Sequence, residues 1–264
     1  MINSINVLPL CSYSMDLETR QLQQLLSAKN QLPEVVLLKA TTTSTNDDIR
    51  EIAQKGITTG LVCSAQQTQG RGQHQRQWIS PEGNIYLSTL VQTRTPLDGR
   101  LALEVALNIL QIPQLQALNL QVKWPNDLYS AQGKWGGILV EPLSQHQAIV
   151  GVGINLKTPP VTDSDQPITS LEDLGLEQMG RLELISELYI AIQNAARWFD
   201  HGCYNLAGRF NHHAAWLNQL VQFEHSQGLV HGRFVGISNE GAVILETPEP
   251  QQFYQGRLRP QTTQ

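Results

Sequence analysis

Charge is scarce in this chain. Only 16% of its 264 residues are Asp, Glu, Lys or Arg, against roughly a quarter in typical soluble domains. The 18 basic residues are outnumbered by 23 acidic ones, for a net charge of −5. Such a balance argues against general nucleic-acid binding, which rests on neutralising phosphates with Lys and Arg, but leaves room for a local basic pocket. Cysteine is scarce too: Cys11, Cys63 and Cys203 stand far apart in no CxxC arrangement. They read as isolated thiols in a reducing compartment, and no basic neighbours mark one as a nucleophile. No apolar run approaches the roughly 18 residues needed to span a bilayer. Met1 to Ser14 lacks the charged start and long apolar core of a signal peptide. The expectation is a cytoplasmic protein without a membrane partner.

What is present is an ordinary hydrophobic content of 41% and 30 glutamines, which make the surface polar without making it ionic. The length allows one good core and a small second domain. Residues 1–34 read as a leader in which Leu17, Leu22, Leu25 and Leu26 have approximate helical spacing, closed by Pro33. Val35–Leu38 reads as a buried strand, and Ser44 with Asp47 as a capping pair for a helix carrying Ile49, Ile52 and Ala53. Strands are expected at 60–65, 85–91, 121–124, 137–141 and 148–154. Helices are expected at 99–112 and 181–199, with a Pro- and Asp-rich loop at 158–167. From about residue 219 short strands punctuated by Gly228, Asn239-Glu240-Gly241 and Pro248–Pro250 predict a small antiparallel barrel.

Two segments carry chemistry. Gln67-Thr68-Gln69-Gly70-Arg71-Gly72, continuing through Arg76 to Trp78, combines glycine freedom with fixed positive charge and an aromatic anchor. It is neither a P-loop, since no Gly-Lys-Ser/Thr follows, nor a dinucleotide fingerprint, since the third glycine is missing. Lys123-Trp124-Pro125-Asn126-Asp127 is followed by Lys134-Trp135-Gly136-Gly137. Asp127 suits a Mg²⁺ shared with phosphate oxygens, and equally suits an ordinary turn. Lys134, ahead of a glycine floor, fits a phosphate or carboxylate contact as well as a solvated surface. Together the segments point to an enzyme that handles a nucleotide.

In their order Thr43-Ser44-Thr45-Asn46, the Gly-Arg-Gly loop, Lys123–Asp127, Lys134–Glu141 and Gly151-Val152-Gly153-Ile154-Asn155 closely resemble the biotin protein ligases, from about residue 37 to the C-terminus. The resemblance implies an α+β fold: a mixed-sheet catalytic domain of the class II synthetase type over 35–218, and an SH3-like barrel over 219–264. It implies ATP, Mg²⁺ and biotin as reactants, and a biotin carboxyl carrier protein of acetyl-CoA carboxylase as acceptor. By position, Ser44, Thr45, Asn46, Gln67, Gly70, Arg71, Gly72, Gln73, Lys134, Gly137, Gly151 and Ile154 would surround biotin. Arg76, Trp78, Lys123, Asn126, Asn155 and Arg259 would serve the nucleotide, with Ile168–Leu171 beside the adenine. Asp127 would hold the metal, and Lys134 and Arg71 would be catalytic.

Two departures stand out. Gln73 and Gln75 replace an arginine and a glycine common in that loop, which implies a weaker grip on the adenylate and a stiffer lid. The leader, with only Arg20 and Lys29 as basic residues, is short for the DNA-binding module some members carry, so DNA binding is not expected. Members occur as monomers and dimers, which leaves a homodimer open. The alternatives are a lipoate ligase or octanoyltransferase, and a non-catalytic biotin sensor.

Overall fold

In chain order the elements are α1 (Leu10–Ala28), β1 (Val35–Thr42), α2 (Thr45–Gln54), β2 (Gly60–Gln67), β3 (Ile85–Gln92), α3 (Arg100–Leu110), β4 (Leu120–Lys123), β5 (Asp127–Ser130), β6 (Gly133–Pro142), β7 (Gln147–Ile154), α4 (Arg181–Asp200) and α5 (Leu206–His213). They are followed by β8 (Leu220–His225), β9 (Gly228–Ile237), β10 (Val243–Glu246), β11 (Gln251–Phe253) and β12 (Arg257–Pro260). The structure is a computed structural model describing residues 10–160, 164, 166–176 and 179–261. The first nine residues of the leader, the Cys11 and Gln75 side chains and part of the 158–167 loop lie outside that description.

The first seven strands hydrogen-bond in the order β1-β2-β3-β7-β6-β5-β4. The β1–β2 pair is parallel and the others are antiparallel, so the sheet is mixed. Successive side chains point to opposite faces. Cys63, Leu87, Val150, Val152 and Ile154 therefore join the main core beneath α1, α3 and α4, with Leu22, Leu26, Val105, Leu188 and Ile192. On the reverse face Ile49 and Ile52 of α2 cover Val62, Leu90 and Ile149. The rest of that reverse face, rich in glycine, carries a cavity.

Several local expectations change. The leader's helix is part of the core: Leu22 and Leu26 are fully buried, whereas Leu17 faces outward. Strand β1 sits at the sheet edge, so Leu37 is exposed instead of buried. Ser44 occupies the N-cap position of α2, but its side chain makes no capping bond. Cys63 and Cys203 are buried free thiols whose pKa values burial pushes up to about 11 and about 12, so neither is a ready nucleophile.

The C-terminal strands form a five-stranded antiparallel sheet, ordered β11-β10-β9-β8-β12. Its core is shared with the larger domain. Trp124 packs on Phe223 with ring centroids 5.8 Å apart, and its indole N–H donates to the Gly241 carbonyl at 2.9 Å. That packing, with Val221, Phe234, Val243 and Leu258 buried in the same apolar cluster, holds the second sheet over the mouth of the cavity.

Candidate active site

One row of paired residues crosses the reverse face of the large sheet. Lys123 lies opposite Asp127, Asp127 opposite Gly137, Gly137 opposite Gly153, and Gly153 opposite Tyr86. The row forms the floor of a cavity of about 810 Å³. Its charged end comes from β4, β5 and the start of β6, its bare middle from β6 and β7, and its polar end from β2 and α2.

At the charged end Asp127 is buried between two ammonium groups. Lys134 Nζ is 2.6 Å from Oδ1, and Lys123 Nζ is 3.1 Å from Oδ2. Gln166 braces the pair, accepting from Lys123 at 2.6 Å and donating to Asp127 at 3.3 Å. Burial alone would raise the Asp127 pKa, but Lys134 and then Lys123 outweigh it and hold the carboxyl below its usual range. Burial lowers the pKa of Lys123 despite its partner. Lys134 is fixed through its backbone: its N–H donates to the Pro167 carbonyl at 2.9 Å, and its own carbonyl accepts from Thr169 at 3.0 Å. Gly133, at φ +137, lets that strand approach, since a Cβ there would lie 2.6 Å from Pro167.

Both oxygens of Asp127, the expected magnesium ligand, are engaged by lysine ammonium groups, so holding Mg²⁺ together with substrate phosphates would require one of them to give way. The carboxylate acts as counter-ion to two lysines.

The bare middle receives Trp78. A Cβ on Gly153 would lie 2.6 Å from the indole and one on Gly137 3.0 Å from it, so the ring rests on both glycines. Lys134 Nζ lies 5.0 Å from the Trp78 ring centroid, within cation–π range. Thus the floor expected to bear a ligand directly is covered in part by the loop's own tryptophan.

At the polar end Gln67 accepts from the Thr45 N–H at 2.9 Å and from its hydroxyl at 3.2 Å. Thr45 also pairs with Ser88 at 2.7 Å, and Ser88 donates to Asn46 at 2.5 Å. Gly151 is required here, because a Cβ would strike Asn46 Oδ1 at 2.3 Å. Ser44, Thr45, Asn46, Gln67 and Gly151 all line the cavity.

The Gly-Arg-Gly segment folds as a closed flap. Trp78 N–H donates to the Gly70 carbonyl at 2.9 Å and Gly72 N–H to Arg76 at 2.8 Å. The turn is made by His74 at φ +55. Arg71, Gly72, Gln73, Arg76 and Trp78 line the cavity beneath it. From the second sheet, the β8–β9 tip and Arg257 complete the wall. Burial, then Arg76 and Arg259, lower the Arg257 pKa to about 10, the mark of a cationic cluster.

The pattern of the Biotin/lipoate A/B protein ligase family matches residues 36–155, and that of the Biotin protein ligase C terminal domain matches residues 217–257. A biotin–[acetyl-CoA-carboxylase] ligase of Mycobacterium tuberculosis is 34% identical over 218 residues, covering 78% of this chain and 81% of that protein. The chain belongs to the biotin protein ligase family. This ligase is also 29% identical over 219 residues to the bifunctional ligase/repressor of Bacillus subtilis, covering 78% of this chain and 67% of that protein. The biotin protein ligase from Aquifex aeolicus in complex with biotin and ATP has the same fold, with a TM-score of 0.75 and 23% identity across 86% of this chain and 100% of that one.

Three family-derived positions lie elsewhere in this ligase. Ile154 points into the helix-covered core, and it is Gly153, one residue earlier, that faces the cavity. Strand alternation from Gly151 is the signal that finds it. Gly70 is buried behind the flap, where a Cβ would meet the Trp78 carbonyl at 2.4 Å, and it does not line the cavity. Arg259 pairs with Gln222 along β12, while Arg257, paired with Glu224 near the hairpin tip, is the lining arginine. Asn126 and Asn155 line the cavity but spend their amides on the ligase's own backbone, donating to Ile138 at 2.6 Å and Thr169 at 3.1 Å. They hold the strands that carry Asp127 and Lys134. No helix among the described residues is long and apolar enough to cross a membrane.

Proposed function

We propose that this ligase activates biotin with ATP and transfers it to a lysine of a biotin carboxyl carrier protein of acetyl-CoA carboxylase. The carboxylate oxygen of biotin attacks the α-phosphorus of ATP, the bond to the bridging oxygen breaks, and pyrophosphate leaves. The neutral amine of the acceptor lysine then attacks the carbonyl carbon of biotinyl-5′-AMP. The acyl–phosphate bond breaks, AMP departs and the nitrogen loses a proton, leaving an amide.

The observation that carries this reading is the sharing of one cavity by a neutral hydrogen-bonding end and a cationic end. Thr45, Asn46 and Gln67 match a ureido ring that both donates and accepts. Lys134, 5.0 Å from the Trp78 ring centroid, lines the same cavity as Arg76 and Arg257. Two anions brought together there have their repulsion cancelled, and charge developing on the phosphoryl oxygens meets fixed cations. The flap keeps water from an anhydride that water would destroy.

A lipoate-type substrate fits less well, because its dithiolane has no group to exchange into the hydrogen-bond network of Thr45, Gln67 and Ser88, as a ureido ring has. Biotin-dependent exchange of labelled pyrophosphate into ATP tests the proposal. Exchange with biotin and none with lipoate is expected, followed by a mass gain of one biotin on a carrier-domain acceptor. Lipoate-dependent exchange, or none with either, would overturn it.

A further inference from the structure

We infer that Arg71 is a positioning residue that latches the flap to α2. Its guanidinium is forked on Asp47, Nη1 to Oδ2 at 2.7 Å and Nη2 to Oδ1 at 2.6 Å, and Nη2 is also 3.7 Å from Glu141. A guanidinium in a bidentate pair has its charge compensated and its plane committed. The second carboxylate is itself clasped: Glu141 Oε2 accepts from Arg50 at 3.0 Å and from Asn46 at 2.9 Å. Contact with the reacting anions thus falls to Arg76, Arg257 and the Lys123–Asp127–Lys134 group, whose two ammonium ions share one carboxylate and keep one net positive charge.

The geometry gives the latch its purpose. The flap has two side-chain anchors at its ends, Arg71 on α2 and Trp78 on the glycine floor. Asp47 directly follows Thr45 and Asn46, which form the polar end of the cavity. The helix that lines one substrate therefore also holds the cover over both. Ser44 and Asp47, freed from capping each other, are the local sign of this second use. On the ligase reading above, the latch sets how long the activated intermediate is retained, with little effect on the rate at which it is made.

Hydrogen exchange on the full, ligand-free chain tests the latch without turnover. In Asp47→Asn the Gly72 and Trp78 amides, which close the flap, exchange about five-fold faster, the most a partly exposed ion pair supplies. Release of biotinyl-5′-AMP accelerates by a similar factor while pyrophosphate exchange stays within about two-fold of the unmodified enzyme, and Asp47→Glu restores both. In the ligand-free chain Arg71→Gln speeds the same two amides, and combining it with Asp47→Asn adds nothing further to their exchange, as for two halves of one contact. A role confined to the first turn of α2 would make the two changes multiply. Unchanged flap exchange in Asp47→Asn, multiplying effects, or abolished adenylation in Arg71→Gln alone would overturn the latch. Failure of the ligase reading shows separately, as an unmodified protein without biotin-dependent exchange.

Discussion

Gly137 and Gly153 are cross-strand partners in β6 and β7, and the indole of Trp78 lies on both. Three residues from separate segments thus make one surface, with Lys134 5.0 Å above the ring. Any side chain on either glycine must displace the tryptophan, and with it one end of the flap.

Gly153→Ala tests this directly. The new methyl would lie 2.6 Å from the ring, and overpacking of that kind costs about 1–3 kcal/mol. Because the ring is on a flap, the cost is relieved by expelling it. The expected outcome is a small fall in Tm and a loss of about tenfold or more in kcat/KM for pyrophosphate exchange, read with a shift in tryptophan fluorescence. An unchanged spectrum with unchanged kinetics would refute the contact.

Asp127→Asn removes the anion between Lys123 and Lys134. Breaking a buried pair by deleting one partner destabilises by about 3–5 kcal/mol, and urea denaturation without added metal measures it. The sign with pH follows from the two shifts. The Asp127 pKa is lowered on folding, so its contribution is present above the unfolded value and is lost as acid takes the pH down through the folded value. The Lys123 pKa is also lowered, so the unfolded chain binds more protons up to its ordinary value of 10.5, and stability rises with pH across that window. In the variant Lys123 sheds its proton more readily still, so the deficit against the natural enzyme shrinks as pH rises toward 10.5. A deficit that appears only when Mg²⁺ is present would mark Asp127 as a metal ligand.

Gln73→Arg returns a cation to the cavity wall, where Gln73 is half-buried. A charged hydrogen bond to the adenylate is worth roughly 1.5–3 kcal/mol. Slower release of biotinyl-5′-AMP from the variant is the expected result, measured by trapping the freed intermediate. Equal release rates would show that residue 73 does not reach it.

Arg257→Gln removes the lining cation supplied by the second sheet. Burial, then Arg76 and Arg259, lower its pKa to about 10, so Arg257 sits in a cationic cluster suited to an anion. Its loss should raise the KM for ATP by about tenfold, the worth of one charge-assisted bond, and leave biotin affinity unchanged. An equal effect of Arg259→Gln would move the contact to that residue.

Much of the site was legible because its residues lie in short continuous segments. Thr45, Gln67, Arg76, Lys123 and Lys134 each sit in a motif whose glycines, charges and proline announce a loop or strand end. Faces were less legible. The motif points to Ile154 where the cavity is lined by Gly153, because assigning a strand's outward face needs the register of its neighbours. Leu37 is exposed although its run is apolar, because a hydrophobic run at a sheet edge has the same sequence as one at its centre. Partners were least legible of all. Ser44 and Asp47 have the spacing of a capping pair, yet Asp47 meets Arg71, 24 residues on, because folding brings the flap over α2.

What the amino-acid order determined alone is local: which stretches are strands or helices, where chain direction changes, and which charges belong to mobile-looking glycine segments. Those follow from periodicity and backbone sterics, which act within a few residues. Tertiary structure decided which charges are already spent. Asp127 lies between two lysines, Arg71 is forked on Asp47, and Arg257 arrives from a separate sheet. Pairings over such distances arise only when the sheet and the packed second domain bring the groups within a few ångströms, where Coulomb energy in a partly dry cavity outweighs solvation.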